Sequence, residues 1–108
     1  MNQTQSSSTN SSLAEGWNND QKVGLAKALV AKDVILYYGN TCSHCHNQLE
    51  AFGSGVDFLK KIDCYSEVSS QTCTQEKIEG VPTWIYNGDR KEGAVDLTEL
   101  AAWIGYTK

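Results

Sequence analysis

Asn40-Thr41-Cys42-Ser43-His44-Cys45-His46 (NTCSHCH) holds two of the four cysteines of this chain and both of its histidines. Three chemistries fit the string. C-x-x-C is the spacing of a redox dithiol, C-x-x-C-H is a haem-attachment pattern, and two cysteines with two histidines suffice for a zinc site. The flanking sequence discriminates between them. Upstream, Asp33-Val34-Ile35-Leu36-Tyr37-Tyr38-Gly39 is a short apolar run rich in β-formers, which predicts a buried strand. Downstream, residues 42–52 predict a helix with Leu49 and Phe52 inward and Gly53 as its stop. The motif therefore sits where a strand ends and a helix begins. That placement puts Cys42 at a helix N-terminus, where unpaired N–H groups and the helix dipole favour a thiolate, and Cys45 one turn further in.

Haem attachment fits poorly. The only methionine is Met1, and His44 lies between the cysteines, so no distal ligand is in view. Zinc fits little better, because the remaining cysteines, Cys64 and Cys73, have eight residues between them rather than the tight spacing of a second ligand pair. A redox dithiol uses the strand, the helix and both cysteines.

Further outward, residues 1–19 form a Ser/Thr/Asn/Gln tract with little to bury, expected to be a flexible linker or tether. The folded domain is expected over residues 20–108. It opens on a helix capped by Asp20, with Val23, Ala26, Leu29 and Val30 at helical spacing. Residues 57–64 predict a second strand and residues 69–78 a short polar helix. Residues 83–93 predict a hairpin turning at Asn87-Gly88. Asp96-Leu97-Thr98-Glu99 resembles a capping box opening a last helix, with Leu97, Leu100, Ala101, Trp103 and Ile104 as its apolar positions and Gly105 as its end. Strands separated by helices pair in parallel and the hairpin adds an antiparallel edge, so the expected fold is a three-layer α/β/α sandwich with a mixed sheet of about four strands.

The 108 residues carry a net charge of −4. Their basic residues are scattered, so nucleic acid and anionic lipid have no electrostatic footprint here. The chain has no apolar run of about 18 residues and no apolar signal segment at its start.

Pro82, the only proline, lies in Glu79-Gly80-Val81-Pro82-Thr83-Trp84 at the start of the hairpin. With C-x-x-C after one strand and Gly-Val-Pro-Thr before another, the chain from about Asp20 onward resembles thioredoxin-fold proteins. The stretches YYGNTCSHCHNQLEAFG, IDC with a further cysteine eight residues on, IEGVPTWIYNGDRKEG and LTELAAWIGY resemble more closely the thioredoxin-like domain fused to bacterial and archaeal homologues of vitamin K epoxide reductase. That resemblance implies thiol–disulfide exchange at Cys42 and Cys45 and a cis Val81-Pro82 peptide facing them. It also implies that the Val81 backbone pairs with an extended substrate. It implies further a membrane-embedded, quinone-reducing partner domain upstream of the polar tract and an extracytoplasmic location, with substrate proteins as partners and no cofactor or metal in this domain. Cys64 and Cys73 recur in that family as a structural or relay disulfide; a bridge here would stabilise by roughly 2–3 kcal/mol, and a structural role is the expected one.

The chain departs from the wider thioredoxin pattern in two places. The position six residues before the first cysteine, a buried acid in many such enzymes, is Leu36, and the residue before that cysteine is Thr41 rather than Trp. His44, as a cation or hydrogen-bond donor, is expected to stabilise the Cys42 thiolate and make the disulfide more oxidising. His46 is expected to face solvent one turn into the helix, where Glu50 four residues on is within reach for an ordinary helical pair, or else to hydrogen-bond near Cys45. Tyr37, Tyr38, Trp84 and Tyr86 are expected as core and rim aromatics, with a wall of a substrate groove as the alternative for Trp84. The competing functions are a thioredoxin-like reductase, a binding module without turnover, and a metal-binding domain using the CSHCH cluster.

Overall fold

The structure, a computed structural model, describes residues 12–108. Its elements are α1 (Asn19–Ala31), β1 (Ile35–Tyr38), α2 (Ser43–Glu50), a 3₁₀ turn (Gly53–Phe58), β2 (Lys60–Asp63), α3 (Ser70–Gln75), β3 (Thr83–Tyr86), β4 (Asp89–Glu92) and α4 (Leu97–Ile104). The four strands form one sheet in the order β2-β1-β3-β4. β1 runs parallel to β2, which the intervening helix makes possible, while β3 is antiparallel to both β1 and β4. This is the expected α/β, thioredoxin-like arrangement.

Strand alternation divides the sheet into two unequal faces. Leu36 lies opposite Trp84 on one of them. There they join Leu25, Ala26 and Leu29 of α1, Ala51 and Phe52 after α2, and Leu97, Leu100, Ala101 and Ile104 of α4 in the core. The Phe52 and Trp84 rings meet at 5.9 Å. The other face carries Tyr37 and Thr83, which are 4% and 1% exposed. Arg90 on that face holds the C-terminal end of α3, donating to the carbonyls of Lys77 (3.1 Å) and Glu76.

A disulfide between Cys64, just past β2, and Cys73 of α3, with Cα atoms 5.7 Å apart, anchors the short helix. A six-residue helix has little intrinsic stability, so the crosslink supplies much of what holds it. Replacing both cysteines by alanine is expected to cost about 3 kcal/mol, the loop-closure entropy of a crosslink of this span. A denaturation midpoint lowered at constant m-value checks the cost, and hydrogen exchange should show protection lost first around residues 70–76.

Three elements differ from the sequence-based expectation. The expected boundary between residues 19 and 20 falls inside packed structure. Ala14 and Trp17 are each only 8% exposed and belong to the core, and the Trp17 indole N–H donates to Thr98 Oγ1 at 3.0 Å. Leu13, Ala14 and Trp17 supply the apolar area that the rest of the tract lacks; residues 1–11 of the tether expected over 1–19 lie outside the described residues. Secondly, α1 begins at Asn19 and its cap is Asn18 rather than Asp20. The Asn18 side chain accepts from the Gln21 N–H (2.9 Å) while the Gln21 side chain accepts from the Asn18 N–H (2.9 Å), a reciprocal box readable in Asn-x-x-Gln. At α4 the expected box is half made: Asp96 accepts from the Glu99 N–H (2.8 Å), but the Glu99 carboxylate pairs with Lys91 instead.

Thirdly, the strand expected from residue 57 starts only at Lys60, because residues 53–58 form the 3₁₀ turn against α1. A Cβ on Gly55 would stand 2.9 Å from the Lys22 carbonyl oxygen and 3.2 Å from the Ala26 Cβ, so only glycine allows the two backbones to approach this closely. The hairpin turn follows expectation, with Asn87 and Gly88 at φ of 51° and 82°.

Candidate active site

The dithiol sits where β1 hands over to α2. Cys42 is the N-cap of α2, with extended backbone at φ −88° and ψ 124°. Its sulfur occupies the place of a capping oxygen and accepts the Cys45 N–H at 3.2 Å. A sulfur in this position is half-exposed and held by a helix-terminal N–H donor. Across from it, the Val81–Pro82 peptide is cis, and the Val81 carbonyl lies 3.7 Å from Cys42 Sγ within reach of the thiol hydrogen. Val81 is half-buried and Pro82 is buried.

Cys45 is the opposite of Cys42. It is fully buried, and burial pushes its thiol up to about 12. The neighbouring Cys42 and the negative charge of Asp63 push in the same direction, while the Gly39 N–H, donating to Cys45 Sγ at 3.4 Å, opposes them. Cys42 and Cys45 are free thiols in this structure. One exposed and one buried thiol predict selective modification. At about pH 8 iodoacetamide should add once, at Cys42, since the thiolate is the nucleophile and a raised pKa leaves Cys45 protonated. Peptide mapping by mass spectrometry checks this, and an adduct on Cys45 at that pH would contradict it.

The histidines take places that the sequence does not reveal. His44 is exposed beside the pair and makes no hydrogen bond to either sulfur; the donor to Cys42 is a backbone N–H instead. His46 Nε2 lies 2.7 Å from the Asn40 carbonyl oxygen, to which the Nε2–H donates. Asn40 in turn donates through its backbone N–H (3.2 Å) and side-chain amide (2.7 Å) to the Asp63 carboxylate, which also accepts the Tyr65 N–H at 3.0 Å. The loop that delivers Cys42 is thus fastened to α2 on one side and to the end of β2 on the other.

Leu36 is wholly buried on the core face, so no acid stands at that position. Asp63, at the end of the neighbouring parallel strand, is a carboxylate whose charge is felt at Cys45. Trp84 does not line a groove. It is 1% exposed, and its indole N–H donates to the side-chain oxygen of Gln48 at 3.1 Å. Gln48 is the site residue that sequence reasoning missed. The available signal was a polar residue on the inward stripe that runs from Cys45 to Phe52.

The remaining cysteines are not free to complete a metal site, since Cys64 and Cys73 are joined to each other. Among the described residues no group of three or more His, Cys, Asp or Glu side chains is placed to hold a metal ion, and no helix is long and apolar enough to cross a membrane.

Fold and site together define a thioredoxin-like domain with a C-x-x-C dithiol at the N-terminus of a helix, facing a cis-proline loop. No family model matches the chain. It is similar to the thiol-disulfide oxidoreductase LTO1 of Arabidopsis thaliana, with 33% identity over 92 residues. The match takes in 79% of this chain and 24% of that protein, so the chain spans about a quarter of the relative's length.

Proposed function

We propose that this chain is a thiol–disulfide oxidoreductase domain that works as a disulfide-forming oxidant on substrate proteins. The observation that carries the exchange chemistry is the asymmetry of the pair: Cys42 half-exposed under a helix-terminal N–H, Cys45 buried behind it with its thiol pushed up to about 12. Similarity to a protein named as a thiol-disulfide oxidoreductase supports the reaction class.

In the oxidised domain a substrate thiolate attacks Cys42 Sγ. The Cys42–Cys45 bond breaks, Cys45 leaves and takes up a proton, and a mixed disulfide joins the substrate to Cys42. A second substrate thiolate then attacks the substrate sulfur of that bond and expels Cys42, whose thiolate is held by the Cys45 N–H. The substrate has lost two electrons and two protons, and the pair has gained two electrons. The exposed His44 beside Cys42 favours this direction by stabilising the reduced form.

Re-oxidation falls to a membrane-embedded quinone-reducing domain of the vitamin K epoxide reductase type, tethered through the polar N-terminal tract, in an extracytoplasmic compartment. Partner and location follow from the sequence resemblance alone. The direction of the reaction is tested by equilibrating the Cys42–Cys45 pair with glutathione. The expected potential is clearly more oxidising than the thioredoxin value of about −270 mV, and it should fall in His44→Leu. A wild-type potential at or below that value makes the domain a reductase and overturns the oxidant reading.

A further inference from the structure

Gln48 is 0% exposed, three residues after Cys45 on the same helix, and its side chain meets no other residue of its own helix in the hydrogen bonds it makes. Its oxygen accepts the Trp84 indole N–H at 3.1 Å and the Val95 N–H at 2.7 Å, filling both lone pairs. Its amide nitrogen donates to the Val95 carbonyl at 2.9 Å. The side-chain amide thus pairs with both backbone groups of Val95, much as a neighbouring strand would.

Both partners belong to the frame of the cis-proline loop. Trp84 lies two residues after Pro82 on β3. Val95 lies two residues after Gly93, whose N–H donates to the Pro82 carbonyl at 2.8 Å. Gln48 therefore locks α2, which carries the dithiol, to the two segments that hold Val81 and Pro82. An apolar residue would fill the same space without fixing a register, since packing tolerates small slides that directional bonds do not. A polar side chain in the core, with its partners on those two segments, points to a positional task.

We propose that Gln48 is a positioning residue that sets the spacing between Cys42 and the Val81 backbone, and so governs exchange with polypeptide substrates rather than the reactivity of the dithiol itself. The inference rests on the exchange reading above. A peptide thiol must align along the Val81 edge while attacking Cys42, so a misplaced edge slows it. A small dithiol such as dithiothreitol attacks Cys42 without using that edge.

The test measures the rate at which the oxidised domain is reduced by a two-cysteine peptide and by dithiothreitol. In Gln48→Leu the peptide rate is expected to fall by about tenfold or more, as a displacement near 1 Å can do, with the dithiothreitol rate within about twofold of wild type. Gln48→Glu adds a pH signature and serves equally if the leucine variant fails to fold. Burial holds the new carboxyl protonated at low pH, where its oxygen accepts both N–H groups and its O–H donates to Val95. Ionisation removes that donor. The peptide rate relative to wild type should be near one at about pH 5 and fall by about tenfold or more at about pH 8. Cys45, one turn away, is a titratable neighbour, and the dithiothreitol arm records what it contributes. Peptide and dithiothreitol rates falling together, or an unchanged peptide rate in both variants, overturns the inference and leaves the exchange reading standing. A wild-type domain inert toward both thiols overturns the exchange reading and this inference with it.

Discussion

Replacing Cys42 by serine is expected to bring oxidation of a reduced two-cysteine peptide down to the uncatalysed level, a loss of at least about 100-fold. A hydroxyl cannot form the disulfide that substrate thiolates attack, and Cys45, fully buried, offers no second point of entry. Cys45→Ser separates the two roles. Its Cys42 thiolate attacks a disulfide substrate, forms a Cys42–substrate bond and releases one substrate thiolate. With no neighbouring thiol to displace the bound sulfur, the adduct accumulates and is read as a mass increase without reductant. A Cys42→Ser protein that oxidises the peptide at the wild-type rate would remove Cys42 from the mechanism.

The largest stability effect is expected at Trp84. Trp84→Ala should cost about 3–5 kcal/mol, from lost burial, an unfilled cavity and a lost ring contact with Phe52. Small domains have about 5–15 kcal/mol in total, so the variant should be close to its unfolding threshold. Trp103 is the internal control. It is half-buried, stacks edge-on with Tyr86 at 5.4 Å and bonds Asp89 at 2.8 Å on the surface, so Trp103→Ala should cost clearly less. Denaturant midpoints of the two variants decide the matter; equal costs would contradict the assignment of Trp84 to the core.

The two variants also separate what one chain can say about its tryptophans. Periodicity placed Trp103 on α4 but not at its margin. It did not show that Trp84, next to the cis-proline loop, is sealed rather than open to substrate. Exposure depends on what packs above a residue, and here that is Phe52 and Gln48, more than thirty residues away in sequence. Trp17 makes the same point in reverse. A polar tract surrounds it, yet its indole reaches Thr98 across the fold.

The features legible in the sequence are those whose physics is local. A cysteine spacing of one helical turn, the Asn87-Gly88 turn, the Asp96 cap and the Gly105 stop each depend on neighbours within a few residues, so they are written in the order of the amino acids. So is the strand–motif–helix order that places Cys42 at a helix start. Tertiary structure decided the rest. It pressed the turn at Gly55 against α1, which delayed β2, and it fastened His46 to Asn40 and Asn40 to Asp63. It also turned Gln48 inward to join the dithiol helix to the Val81-Pro82 frame. Apart from the His46–Asn40 bond, which spans six residues, those contacts join groups far apart in the chain, where direction and distance exist only once the elements have packed.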